Sequence, residues 1–270
     1  YAQLDVRIKY IDKINEGPSL SRKSGTEQAK GKYIQYLDSD DFLQENAIEY
    51  LTDKAEATNA EVVAAPFFFY YSENKMDISG HFSFQEMTGM EYFNEILSGR
   101  AYWSVWSNFL SRSLFERNDI SFVPEISFGE DAILMVQLLY HTQKVVALEQ
   151  PILYYRQIES SICHDITPKR HEDLRTYTKW IERFMIEKGL YESYRNNLIL
   201  KNIEMAFLCM HWGYYENANK DMKRIVKDIK KRPQLLKCLP GRQRKIIKVY
   251  RFSSWLGFLN LMHYKKQGKL

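Results

Sequence analysis

Residues 30–43 read KGKYIQYLDSDDFL. An apolar, aromatic run through Leu37 ends in Asp38, Ser39, Asp40 and Asp41. Carboxylates this close repel one another unless a cation or a set of hydrogen bonds takes up their charge. In an open α/β sheet, ligands bind outside the carboxyl ends of the strands. Hard oxygen ligands on a short loop there suit Mn²⁺ or Mg²⁺, which keeps one or two protein carboxylates and takes phosphate oxygens for the rest. Such an ion would hold a diphosphate and offset the charge that develops as it departs. The same residues also fit a turn leading to a helix N-cap. An EF-hand is poorly supported, because no Gly and no distal Glu fall at its spacings. A phosphatase Asp-x-Asp normally sits on the first strand and is followed by Thr or Val, whereas here Asp41 follows and earlier elements precede.

Outward from this stretch the pattern alternates. VRIKYID (6–12) alternates like a strand, and SLSRKSGTEQAKG (19–31) reads as a helix stopped by Gly31. NAIEYLTDKAEATN (46–59) has helical spacing, and EVVAAPFFFYY (61–71) is a strand whose Pro66 marks an edge or bulge. Residues 72–84 suit a hairpin or loop, and TGMEYFNEILSG (88–99) a short helix. EDAILMVQLLYHTQ (130–143) is an amphipathic helix, followed by strand-like KVVALE (144–149) and ILYYRQ (152–157). Strand–helix alternation predicts a parallel sheet with helices on its faces. After Pro168 the chain reads as two or three long helices to about Lys231.

The 270 residues are 45% hydrophobic and 14% aromatic, enough for a sizeable core. The chain opens on Tyr1, and no leader-like segment or apolar run of membrane-spanning length follows. A soluble or peripheral protein, and a fragment whose start is missing, is the expectation. Three scattered cysteines (Cys163, Cys209, Cys238) suit a reducing cytoplasm, and the histidines form no zinc-site spacing.

The flanks of the acidic stretch resemble a known family. Asn15, Gly17, Ser19, Arg22, Gly25, Ala29, Gly31, Tyr33, Asp38, Asp40 and Asp41 follow the pattern of family 2 glycosyltransferases with the GT-A fold. Ser21 and Lys23 replace the usual Ala and Asn, and Ser107 and Asn108 stand where Asn and Lys are more usual. Glu130-Asp131 resembles the family's acidic pair before a helix, and Tyr154, Arg156, Ser161 and Ile162 its Tyr-x-Arg…Ser-Ile segment. The resemblance is closest to bacterial enzymes that build capsule, exopolysaccharide or wall glycans. It implies an α/β, Rossmann-like GT-A domain over residues 1–165, with a mixed sheet and helices on both faces. That domain lacks its N-terminal strand–helix–strand, and a helical C-terminal region follows over 166–270.

The resemblance further implies an inverting, metal-dependent transfer from a nucleotide-diphosphate sugar, a UDP-sugar above all, to a glycan or polyprenyl-linked acceptor. Asp38 and Asp40 would hold Mn²⁺ or Mg²⁺ and the diphosphate, with Arg22 and Arg156 also on the donor side. Asp131 would be the general base, with Glu130 and Trp106 on the acceptor. Each residue has a plainer reading: ion pairs for the arginines, helix-start stabilisation for Asp131 and Glu130, core packing for Trp106. A helix dipole would also lower the pKa of Asp131, so burial would have to offset it. His164 is not assigned to the metal. The rival class is a catalytically inactive relative serving as a binding or scaffold subunit.

Charge is split along the chain. From Ile229 onward there are twelve Lys or Arg and no Asp or Glu, against a net of +4 overall. Residues 241–266 interleave these cations with large apolar side chains. A solvated face, burial against the helical region or in a homodimer, and a helix lying on an anionic membrane surface all fit. The last suits a peripheral enzyme on the cytoplasmic face of the cell membrane. Nothing resembles a nucleic-acid recognition motif.

Overall fold

The computed structural model describes residues 2–158 and 167–266. The chain divides into two compact units, Tyr1–Asp165 and Ile166–Leu270. In the first, β1 (Tyr33–Ile34), β3 (Val62–Ala64), β6 (Glu86–Met87), β7 (Asn108–Ser111) and β8 (Val145–Ala147) form a five-stranded sheet in the order β1-β7-β3-β8-β6. A four-stranded sheet runs β2-β9-β4-β5, from β2 (Phe42–Leu43), β9 (Leu153–Arg156), β4 (Phe68–Ser72) and β5 (Lys75–Ile78). Among the described residues only β3–β8 and β4–β9 pair in parallel; the sheets are mixed, not wholly parallel. β4 and β5 make the hairpin expected after residue 71.

Four segments pass directly from one sheet to the other: β1 to β2, β3 to β4, β5 to β6 and β8 to β9. EVVAAPFFFYY is therefore two strands. Pro66, which has no N–H to give a ladder, sits at the switch, and its carbonyl accepts from Ile152 N at 3.1 Å. An aromatic row at facing register positions ties the second sheet together. Phe42 stacks on Tyr154 (4.6 Å) and Tyr154 on Phe68 (5.1 Å). Because β2 starts at Phe42, this row also anchors the acidic residues before it.

Helix α1 (Gly17–Gln28) opens at a glycine with φ +86°, followed by Pro18, and ends at extended Ala29 rather than at Gly31. Its inward stripe, Ser19, Arg22 and Thr26, is polar. Thr26 Oγ1 meets Tyr36 Oη at 2.6 Å. Helix α2 (Ala47–Thr58) buries Ala47, Leu51 and Ala55 and stops at left-handed Asn59. Helix α3 (Gly89–Leu97) starts at a capping box formed by Thr88 and Glu91. A short α4 (Ser113–Glu116) precedes α5 (Glu130–His141). The sequence suggested an amphipathic α5, yet residues Ala132 to Leu139 are all buried. Gln137 is tolerated there because its amide pairs with the backbone of Ser121, at 2.9 and 3.0 Å.

VRIKYID forms no strand. Its alternation is real, but no neighbouring strand pairs with it, and Val6 is 96% exposed.

The second unit is helical: α6 (Pro168–Glu187), α7 (Tyr191–His211), α8 (Tyr215–Lys231), α9 (Gly241–Phe252) and α10 (Ser254–Lys266). Ala218, Met222, Ile225, Val226 and Ile229 form the buried stripe of α8. Helix α9 packs on α8, and α10 folds back on α9. Among the described residues no helix is long and apolar enough to cross a membrane.

Gly89 brings α3 against the end of α5: a Cβ there would lie 2.0 Å from Leu139 O and 2.8 Å from Thr142 Cβ. Gly89→Ala is expected to cost about 1–3 kcal/mol through overpacking, read as a lower urea midpoint. Gly25→Ala, with open space around it, is the control and leaves the midpoint unchanged or slightly raised.

Candidate functional site

The site is built around Arg22, whose side chain is only 11% exposed. One nitrogen, Nη1, donates to Glu130 Oε1 at 2.7 Å and lies 3.0 Å from Asp131 Oδ1. The other, Nη2, donates to Asp38 Oδ1 at 3.0 Å. A planar guanidinium can address several carboxylates at fixed angles, which a lysine cannot. Burial disfavours the arginine's charge, but Asp131, Asp38 and Glu130 together hold it firmly protonated.

Asp131 and Glu130 occupy the first turn of α5, entered through Gly129 at φ +89°, a conformation that other residues adopt only with strain. Asp131 Oδ2 accepts from Val105 N at 3.1 Å. That N–H opens a tight turn, Val105–Ser107, locked by Asn108 Nδ2 donating to Ser104 O (2.8 Å) and by a Ser104–Ser107 hydroxyl contact (2.8 Å). Burial pushes the Asp131 carboxyl up to about 7, the pull of Arg22 notwithstanding, with Glu130 adding to the rise. The dipole effect weighed from the sequence is thus outweighed by burial. Glu130 is raised for the same first reason.

The acidic loop is the β1–β2 crossing between sheets. Its three carboxylates diverge. Asp38 faces Arg22. Asp41 turns inward, where Oδ1 accepts from Arg156 N at 2.9 Å and Oδ2 is buried with no hydrogen bond. Burial lifts its carboxyl to about 6. Asp40 is half-exposed, and its carboxylate makes no hydrogen bond or ion pair among the described residues. Arg156 does not reach Asp131; its Nε donates to the carbonyl of Asp40, so it braces the loop's backbone. A cleft of about 480 Å³ opens beside the loop, lined by Arg22, Thr26, Tyr36 and Asp38 among others.

The structure therefore brings together Arg22, Asp38, Glu130 and Asp131, and next to them Asp40 with Arg156. Trp106 is not exposed to a sugar. It is buried, stacked on Tyr155 (5.1 Å) and edge-on to Phe67 (4.7 Å), so its role is packing. Ser161, Ile162 and His164 lie outside the described residues. Sequence reasoning missed two parts: Asp41 as an inward latch and Val105 N–H as a donor to Asp131. The latter is a backbone group that carries no side-chain signal.

Among the described residues no three acidic, His or Cys side chains form a ready metal cage. The unpaired carboxylate of Asp40 and part-exposed Asp38, the latter paired with Arg22, are the residues whose chemistry would suit a divalent ion completed by phosphate oxygens.

Residues 1–120 match the family model described as Glycosyl transferase family 2. The chain is 26% identical over 238 residues to the uncharacterized glycosyltransferase EpsJ of Bacillus subtilis, covering 85% of this chain and 69% of that protein. It is 24% identical over 232 residues to the minor teichoic acid biosynthesis protein GgaB of the same species, covering 84% of this chain and 24% of GgaB. A crystal structure of S. aureus TarS in complex with UDP-GlcNAc shares the fold. Its TM-score is 0.60 at 14% identity, over 96% of this chain and 74% of that one.

Native Asp131 holds its proton to about pH 7 against an ordinary value of 3.8. Between those values the folded state binds more protons than the unfolded state, so this group's contribution to stability falls as pH rises. Asp131→Asn is expected to flatten that slope and to gain on the parent above pH 7, read from urea midpoints across the pH range. Arg22→Ala leaves the carboxylates unpaired, costs about 3–5 kcal/mol and shifts the slope to higher pH.

Proposed function

We propose, because residues 1–120 match the family model for glycosyl transferase family 2, that this chain transfers a sugar from a nucleoside-diphosphate donor to an acceptor in bacterial polysaccharide or wall-glycan synthesis. The observation that carries the proposal is the single guanidinium of Arg22. It joins the strand-end carboxylate Asp38 to the helix-start pair Glu130 and Asp131. A donor-side loop and a candidate base are thereby held in one frame, which is what a displacement at a sugar carbon requires.

In this reading Asp40 and Asp38 would hold Mn²⁺ or Mg²⁺ on the donor side. The bound ion supplies charge neutralisation for the departing nucleoside diphosphate. Arg156 keeps the loop backbone in place through Asp40 O and Asp41. Asp131 takes the proton from the acceptor hydroxyl. That oxygen then bonds to the anomeric carbon from the side opposite the leaving group, which departs with the electrons of its C–O bond. One displacement inverts the anomeric configuration. A carboxylate raised to about 7 suits a base working near neutral pH. Glu130 keeps Arg22 aligned and borders the acceptor side. A uridine diphosphate sugar is the donor class we favour, since TarS of the same fold was crystallised with UDP-GlcNAc. The likeness to GgaB, a minor teichoic acid biosynthesis protein, supports a wall-glycan acceptor.

The test uses the full-length protein with Mn²⁺ and UDP-GlcNAc, scoring donor binding by calorimetry and turnover by UDP release. Asp40→Asn is expected to abolish metal-dependent donor binding. Asp131→Asn should keep binding and lower turnover by about 10²–10⁴-fold. The parent's turnover should rise with pH through about 7. Unchanged turnover in both variants sinks the mechanism, and binding without turnover in the parent favours an inactive scaffold.

A further inference from the structure

The basic C-terminal segment divides its apolar side chains between two destinations. Ile246, Ile247, Tyr250 and Leu261 are buried, at 2% exposure or less. Phe252 is 85% exposed, Trp255 68%, Leu256 39% and Leu259 45%. Part of the segment is thus core of the helical unit, and part is apolar surface turned to solvent.

The division follows from an elbow. Ser253 is extended (φ −148°, ψ 127°), which breaks the helix for one residue. Its carbonyl and hydroxyl then accept from Gly257 N (2.9 Å) and Leu256 N (3.3 Å), restarting the chain as α10. Gly257 lets the two helices close on each other: a Cβ there would sit 2.4 Å from the Tyr250 ring. With α9 and α10 pinned on their inner faces, Phe252 and Trp255 flank the outer side of the bend.

Cations share that outer side. At 100° per residue, Lys245, Lys248 and Phe252 fall on one face of α9, opposite Ile246, Ile247 and Tyr250. Lys245 and Lys248 are exposed and make no ion pair among the described residues. On α10, Trp255, Leu259 and Lys266 share a face opposite Gly257 and Leu261. Lys265 is different: its Nζ lies 3.9 Å over the Tyr215 ring on α8, so it belongs to the unit's own packing.

We propose that this elbow docks the protein onto an anionic lipid bilayer. Phe252, Trp255, Leu256 and Leu259 enter the boundary between headgroups and acyl chains, and Lys245, Lys248 and Arg251 lie against headgroup phosphates. From Ile229 onward the sequence holds twelve Lys or Arg and no acid, so the partner is anionic. Four exposed apolar side chains at the bend require an apolar phase, which nucleic acid does not offer and a bilayer does. α9 has 12 residues and α10 has 13, so each lies in the interface and does not cross it. The inference stands apart from the transferase reading.

The experiment is co-sedimentation of the full chain with vesicles of phosphatidylcholine plus phosphatidylglycerol, and with phosphatidylcholine alone, at low and high salt. Pelleting is expected only with the anionic vesicles. Phe252→Ser/Trp255→Ser should weaken partitioning about tenfold or more. Lys245→Gln/Lys248→Gln should weaken it by roughly tenfold and flatten its salt dependence. These side chains are exposed, so both variants should melt with the parent. Three results would overturn the proposal: apolar variants that pellet like the parent, equal pelleting on neutral vesicles, or a dimer in sedimentation velocity that the apolar variants dissolve while vesicles capture nothing.

Discussion

The guanidinium of Arg22, nearly sealed from water and shared by Asp38, Glu130 and Asp131, is the interaction from which the arrangement of the site follows. Burying so many charges is costly unless each is paired in good geometry. The pairing here is met by an unusual division of labour. Helix α1 carries almost no apolar inner face. It is held instead through Arg22 and through Thr26 on Tyr36. The polar helix and the acidic loop are thus joined through charge, Arg22 on the helix meeting Asp38 on the loop.

That dependence has an electrostatic sequel. One positive group faces three carboxylates, so the cluster carries an excess of negative charge. It is relieved in part by burial, which keeps Asp131 protonated up to about pH 7. Asp38 is the most exposed of the three carboxylates, at 40%. The cluster thus runs from a buried, protonated inner end at Asp131 to a more exposed outer end at Asp38. Burial is the largest cause of the rise at Asp131, with Glu130 adding to it.

Much of this was legible in the chain. The helical spacing of 46–59, 88–99 and 130–143 marks α2, α3 and α5, because local periodicity survives tertiary packing. The DSDD loop, the Glu-Asp pair and Arg22 stand out through their motif. What was not legible is long-range or non-periodic. Arg22 meets Glu130 across 108 positions, and no local pattern encodes such a partner. EVVAAPFFFYY reads as one strand because alternation is blind to a change of sheet; only Pro66 hinted at it. VRIKYID alternates like a strand but pairs with nothing, and a strand is defined by its neighbour. Trp106 was ambiguous in principle, since a large aromatic looks alike on a sugar and in a core.

The four direct crossings between the two sheets carry a consequence for how such a chain can vary. Each is a short stretch with paired strand on either side: Ile34 is fixed opposite Leu110 and Phe42 opposite Tyr154. Between those anchors the number of residues is a constraint in its own right. A single insertion or deletion would have to be absorbed by the acidic loop or would turn a strand's side chains to the opposite face. Point substitutions around the site can be compensated by neighbours, whereas a change in segment length cannot. Over evolutionary time the count of residues from Ile34 to Phe42 should therefore drift less than their identities.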